Sequence, residues 1–465
     1  MTATHFSTYA GSWYPGQAAE LRSLLHTIEE RSQARTGPAI LPHPLAFIVP
    51  HAGLTYSGTV ATAAYHQLKA ANPSRVVLLG FLHSGAASGV ITPDLGAYAT
   101  PLGRTPVDLT GFDFPRLPLA IATDHSAEIQ LPLLQSAVPD VPVAPLYVGC
   151  LTAQQRSAAA RAIAAALRPG DILLASTDLT HYGRSFHYEP FPLDYETPNN
   201  LHQLDHSVID AAGSLDDSRF LDELRRSGST TCGAAPVALL LRTLTELGGE
   251  EVFQELLDYQ TSGDITGDYR TSVGYAALGY FRTSAFQLSL EDQRELLASA
   301  HDTLRLVREG GIERPLSREN PSPALQRKSS VFVSLHHHAD LLGCIGRLAP
   351  VQPLAQSIPE LTLDALHDPR FPTRRHAPPD VEVEISILTP MKPIADAAAF
   401  RIREHGALLE CWGHRGLLLP QVARKPEHTS EWFLNALSLK AGLPPAAWRG
   451  REARLSVFRA QVFSA

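Results

Sequence analysis

The first half of the chain contains His51, His83, His125, Glu128, Asp178, His181 and Cys232, the residue types of a divalent metal site. Two imidazoles with one anionic ligand leave coordination positions open on iron, and a cysteine thiolate can replace a carboxylate as the anion. A thiolate ligand favours iron, copper or zinc over magnesium or calcium. A further histidine beside such a metal suits general acid/base work, because imidazole titrates near neutrality. Spacing alone does not decide the matter, since these residues are scattered rather than gathered in one short motif. Cys232 reads equally as a small apolar residue at a helix start. In Thr123–Gln135, Asp124 reads as an N-cap with Glu128 on the first turn. Twenty histidines against two methionines hint at metal chemistry, and equally at a composition rich in histidine.

The elements that must position these residues alternate between strand and helix. In FIVPHAG (Phe47–Gly53) the run Ala46–Val49 reads as a strand that stops at Pro50 and delivers His51 to a glycine-containing turn. Open α/β sheets hold their ligands at such carboxyl ends. Leu21, Leu24, Leu25 and Ile28 predict an amphipathic helix over Ala18–Arg31. A helix at Thr55–Ala70 and a strand at Arg75–Gly80 complete a β-α-β unit whose second strand ends in FLHSG, with His83. Strands are expected at Pro142–Val148 and Asp171–Ala175, with the helix Thr152–Leu167 between them. The second delivers Asp178 and His181 in STDLTHYG. Helices follow at Leu201–Ala212, Asp217–Ser227 and Thr230–Leu244, the last with Cys232 at its head. A final strand at Ser272–Phe281 closes this half.

A boundary falls at Phe281–Ser289, giving expected domains over 1–284 and 289–465. A helix at Glu291–Glu309 opens the second half, and Gly310–Lys328, rich in Pro, Arg, Glu and Ser, is expected to be an irregular arm. Strand Ser330–Leu335 leads through His336–Pro350 to a helix at Leu354–Leu366. Asp380–Leu388 alternates at period two like a strand with one wet face. With Gly416–Gln421 and a helix at Thr429–Ala441, this half reads as α+β.

At 465 residues the chain is too long for one ordinary core, and two or three domains follow. Its 44% hydrophobic and 18% charged residues are those of a globular protein. A formal net charge of -8 leaves no basic stripe for nucleic acid. No stretch reaches the apolar length of a spanning helix, and Met1–Tyr14 lacks the pattern of a secretory signal. Cys150, Cys232, Cys344 and Cys411, with no CxxC spacing, are expected to be reduced thiols in a cytoplasm.

GSWYPG, VPHAGLTYSG, HSAEIQLP, STDLTHYG, TTCGAAPVALLL and SGDITGDY, in this order, closely resemble the Memo family over about Phe6–Phe281. That family's three-layer α/β fold resembles the class III extradiol (LigB-type) non-haem iron dioxygenases. The resemblance implies metal ligands at His51, His83 and Cys232, with His181 where the dioxygenases keep an acid/base histidine, Asp178 orienting it, and His125 and Glu128 lining the same cleft for substrate. The implied metal is Fe(II), with copper or zinc as alternatives. Cys232 departs from the carboxylate of the extradiol enzymes. Thiolate donates more charge and is itself oxidisable, so ring cleavage is not simply inherited. In some Memo proteins the cleft is thought to act as a binding site, which keeps open a module that captures a peptide or small anion. Metal delivery is a third reading.

The second half resembles the AMMECR1 family over about Leu290–Phe463, through VFVSLHHHADLLGCIGRLAP, DPRFP, VEVEISILTP, GLLLPQVA and FLNALSLKAGLP. LLGCIG surrounds Cys344, and Leu342 stands where the family usually has Arg, removing a cation near the thiol. Cys344 otherwise reads as a small side chain where glycines bring backbones together. Arg370 reads as the partner of a ligand carboxylate or simply of Asp368. His336-His337-His338 reads as a solvated turn rather than a metal tract. Memo-like and AMMECR1-like domains are found fused and often encoded beside a radical S-adenosylmethionine enzyme, which implies such a partner besides a small-molecule or peptide ligand.

Overall fold

The computed structural model describes residues 3–38, 40–85, 88–118, 123–310, 321–338, 340–371 and 378–465. Two compact units divide the chain, one formed by Met1–Gly37 and Pro42–Arg282, the other by Pro38–Leu41 and Thr283–Ala465.

The first unit runs β1 (Thr4–Phe6), α1 (Ala18–Thr36), β2 (Pro44–Val49), α2 (Leu54–Ala71), β3 (Arg75–Gly80), β4 (Val90–Pro93), β5 (Ala97–Thr100), β6 (Gly103–Pro106) and β7 (Arg116–Leu117). It continues with α3 (His125–Glu128), α4 (Gln130–Ala137), β8 (Val143–Val148), α5 (Ala153–Ala166), β9 (Asp171–Ser176), β10 (His181–Gly183), α6 (Thr197–Gly213), α7 (Asp217–Ser227), α8 (Ala234–Glu246), β11 (Val252–Thr261), α9 (Ser262–Thr266) and β12 (Thr271–Arg282).

Strands β2, β9, β3 and β8 lie side by side and parallel, as the β-α-β reading requires. Antiparallel β12 and β4 flank them. Every residue of β3 and β8 is buried, which is why these runs are continuously apolar rather than alternating. Successive residues serve opposite faces: Ile48, Val77, Leu79, Leu146 and Leu173 share one core with α5 to α8, while α2 lies against β2 and β12 from the other side. Helices on both faces make the unit a three-layer α/β fold. A capping box between Thr152 and Gln155 starts α5.

The helix at Cys232 begins later than Thr230–Leu244 suggests. Cys232 sits in the turn before α8, because Gly233 approaches the backbone of Ser176 and the side chain of Thr177 too closely for any β-carbon. The short strands β4 to β7 escape the sequence reading, having neither length nor period.

The second unit contains α10 (Leu290–Arg308), β13 (Val331–His337), β14 (Asp340–Arg347), α11 (Leu354–Leu366), β15 (Val381–Leu388), β16 (Lys392–Ile394), β17 (Gly406–Cys411), β18 (His414–Leu418), α12 (Ser430–Lys440), β19 (Arg454–Phe458) and β20 (Ala460–Ser464). One antiparallel sheet orders β14-β13-β15-β20 and packs on α10 and α11; a second orders β16-β19-β17-β18 and packs on α12. This is α+β. Strand β14 was not expected: His336 and His337 belong to β13, and His338, with φ of 55°, makes the turn into β14. Residues 311–320, the core of the expected irregular arm, lie outside the described residues, as does Pro372 of DPRFP.

Candidate metal centre

Three parallel strands deliver the candidate ligands at their carboxyl ends: β2 leads to His51, β3 to His83, and β9 to Asp178 and His181. His51, His83 and Cys232 each offer a ligand atom, and these atoms lie within 4.8 Å of one another. His51 Nε2 is 3.1 Å from Cys232 Sγ. Bonds of about 2.3 Å to sulfur and 2.0 Å to nitrogen would put the two donors of one metal ion about 3.0 to 3.6 Å apart, for right to tetrahedral angles. The pair therefore fits a shared cation. Asp178, His181 and Cys232 form an adjoining group on the same criterion, as do His83, Asp124 and His125.

Both imidazoles are anchored through Nδ1, leaving Nε2 for a metal. His51 Nδ1 is 2.8 Å from Ser176 Oγ, which also receives Gln130 Nε2 at 3.3 Å. Gln130 Nε2 further donates to the Pro50 carbonyl, and its Oε1 accepts from Tyr65 Oη at 2.8 Å. His83 Nδ1 is 2.8 Å from Asp124 Oδ1, and the His83 amide donates to Asp124 Oδ2. Such outer partners are what orient metal-ligating histidines.

Without a metal, His51, His125 and Cys232 are held uncharged. Burial, reinforced by His83, pushes His51 down to about 3, and burial pushes His125 down to about 3. Burial and the neighbouring Asp178 push the Cys232 thiol well above its ordinary value. Both groups are neutral at pH 7, so the thiol donates to His51 Nε2. The Asp178 amide, 3.3 Å from Sγ, is a donor waiting for negative charge on sulfur.

The expected role of Asp178 in orienting His181 is not the arrangement seen. Asp178 Oδ1 accepts the amides of His51 at 2.7 Å and Ala52 at 3.3 Å, so it fixes the β2 turn. His181 is oriented by the Leu179 carbonyl, 3.1 Å from its Nδ1. Burial raises Asp178 to about 6 despite those amides. Glu128 likewise turns away from the cleft. It is 1% exposed and accepts the amides of Thr8 and Tyr9 and contacts His5 Nε2 at 2.8 Å, anchoring the N-terminal segment. Carboxylates buried this deeply need several donors, and backbone amides nearby supply them.

That anchoring brings in residues the sequence reading missed. GSWYPG, assigned no role in the site from the sequence alone, places Trp13 4.3 Å from the His125 ring, which itself stacks on His83 at 3.8 Å. Tyr9 meets the same ring edge-on. Asp124 is the N-cap that Thr123–Gln135 predicts, accepting from the Ser126 amide, and also the carboxylate that holds His83. Ser176 carries no sequence signal beyond its place at the end of β9.

In the second unit, Arg370 pairs with Asp368, its Nε and Nη2 at 2.9 and 2.7 Å from the carboxylate. The two then take both backbone groups of Cys344: its N–H donates to Asp368 Oδ2 at 3.0 Å and its carbonyl accepts from Arg370. Cys344 Sγ accepts from Ser334 Oγ at 3.3 Å. A β-carbon on Gly343 would lie 1.9 Å from the Ala365 carbonyl, so the close-approach reading of LLGCIG holds. Leu342 is buried in the core. Among the described residues, the clusters able to hold a metal all lie in the first unit, and none includes His336 to His338.

An α/β sheet with two anchored imidazoles at its strand ends, and a thiol brought beside them by the turn before α8, defines a protein with a candidate His-His-Cys metal site. A family model described as Memo-like protein matches residues 6–279, and one described as AMMECR1 matches 297–463. The chain belongs to the Memo family and carries a C-terminal AMMECR1 domain. It is 32% identical to a MEMO1 family protein of Methanopyrus kandleri over 296 residues, covering 59% of this chain and 97% of that one. It is 30% identical to Protein MEMO1 of Xenopus laevis over 291 residues, covering 58% and 95%. A solved structure of an uncharacterized protein from Pyrococcus horikoshii is 28% identical, covering 38% of this chain and 93% of that chain with a TM-score of 0.36. Among the described residues no helix is long and apolar enough to cross a membrane.

Proposed function

We propose that the first unit is a metal-dependent oxidoreductase of class III extradiol dioxygenase ancestry, with His51, His83 and Cys232 holding Fe(II), or alternatively copper or zinc. The observation that carries this reading is the convergence of three ligand atoms within 4.8 Å, two of them on rings already anchored through their other nitrogen. Bound iron would supply a redox-active Lewis acid with open positions for substrate. His181 moves the proton: with Nδ1 held at the Leu179 carbonyl, Nε2 is its acid/base atom. Asp178 holds the His51 turn in register. His125, backed by Trp13, gives substrate an aromatic wall. The AMMECR1 domain binds substrate or a protein partner, and the pathway includes a radical S-adenosylmethionine enzyme.

The same aromatic wall favours a second reading, a non-catalytic module that captures a peptide or small ligand; exchange of the metal would make it a delivery protein. Metal content by mass spectrometry after anaerobic purification separates a metal centre from a metal-free binding module, and the oxygen-uptake assays then separate enzyme from delivery protein. Stoichiometric metal in the wild type, lost in His51→Ala, His83→Ala and Cys232→Ser, supports the enzyme and justifies oxygen-uptake assays. Negligible metal in every sample, with no uptake of Fe(II) under reducing conditions, overturns it.

A further inference from the structure

A cavity of about 500 Å³ opens in the first unit, bounded by α1, α2, α4 and the β5–β6 turn. This volume is that of a small-molecule site. Its wall includes the buried side chains of Leu25, Tyr65 and Leu133, so an occupant would leave water on one side.

Arg22 from α1, Lys69 from α2 and Arg104 from β6 line the cavity, each exposed. Among the described residues none of the three has a carboxylate partner within ion-pair distance, whereas most other arginines of this unit do. Two carboxylates also line the cavity, Glu29 and Asp140. Glu29 accepts from Gln33 at 3.0 Å and lies 3.0 Å from His66, and with Asp140 it leaves the three cations in excess by one. Thr62, 3% exposed, adds a hydroxyl that no group in the described residues satisfies. Buried polar atoms are rarely left so. In a chain of net charge -8, three cations brought from three elements to one cavity, against two carboxylates, make a local excess of positive charge.

We propose that this cavity binds a small polyanion, bearing phosphoryl groups or several carboxylates, through Arg22, Lys69 and Arg104. The reading is independent of the metal centre, none of whose candidate ligands lines the cavity.

Isothermal titration of the full-length protein with pyrophosphate and, separately, with citrate tests it. Saturable binding near one equivalent is expected, weakened tenfold or more in R22A/K69A/R104A and kept in the control R161A/R225A/R226A, which removes the same charge from exposed helix faces. Preference for one probe identifies the anionic group. Circular dichroism confirms that both variants fold. No saturable binding of either anion, or equal loss in the two triple variants, overturns the proposal.

Discussion

Nε2 of His51 and Sγ of Cys232 lie 3.1 Å apart although 181 positions separate them in the chain. With the ring held neutral and the thiol held protonated by burial, one proton occupies the space between them. A cation entering there must displace that proton, so metal uptake by the wild type releases acid and strengthens as pH rises.

Fe(II) added anaerobically to the metal-free protein is expected to raise its melting temperature, and a chelator to reverse the rise. A ligand at 100 times its dissociation constant stabilises by about 2.7 kcal/mol. Differential scanning fluorimetry reads this; an identical rise in Cys232→Ser would dissociate the effect from the proposed site.

Gly233→Ala should disable the centre without touching a ligand. Its β-carbon would lie 2.4 Å from the Ser176 carbonyl oxygen and 2.5 Å from Thr177 Cβ, so the turn carrying Cys232 must move. Metal content should fall at least tenfold while circular dichroism stays native, and full metal retention would show that the turn has slack.

Asp124→Asn keeps the N-cap and weakens the hold on His83. Loss of such an outer partner costs about 10- to 100-fold in metal affinity, measurable by competition with a chelator of known strength. Undiminished affinity would mean that the stack of His125 on His83 suffices to orient the ring.

Much of this centre is legible in the chain because strand ends are. The apolar runs before His51, His83 and Asp178 mark strands by composition alone, and parallel strands converge their carboxyl ends. Hydrogen bonds across long sequence separations are not legible. Nothing local distinguishes Ser176 as the partner of His51, or tells that Glu128 serves Thr8 and Tyr9 rather than a substrate. Asp124 shows why: its N-cap pattern is complete within three residues, whereas its second task depends on β3 arriving beside α3. Strand β14 was hidden by LLGCIG, whose glycines argue against a strand until the approach of Ala365 to Gly343 and of the Phe332 ring to Gly346 explains them.

Asp205 offers a pH signature away from the ligands. It is buried, accepts from the Thr180 amide and from Tyr259 Oη, and burial raises it to about 6 in spite of those bonds. A carboxyl raised above its unfolded value near 3.8 costs stability as pH climbs from about 4 to 6, about 3 kcal/mol in all. The stability of the wild type relative to Asp205→Asn should therefore fall by that amount across this window and stay level above it. Urea denaturation at pH 4 and pH 7 checks this, and a flat difference would place the carboxyl near its ordinary value.

Asp368 and Arg370, by taking both backbone groups of Cys344, act as a short counterfeit strand on β14. Among the described residues that strand ends its sheet, and the outward amides and carbonyls of such an edge are a template on which another chain could lengthen the sheet. The DPRFP segment closes that template at its middle residue. An edge closed there is a poorer template for a second copy of the protein.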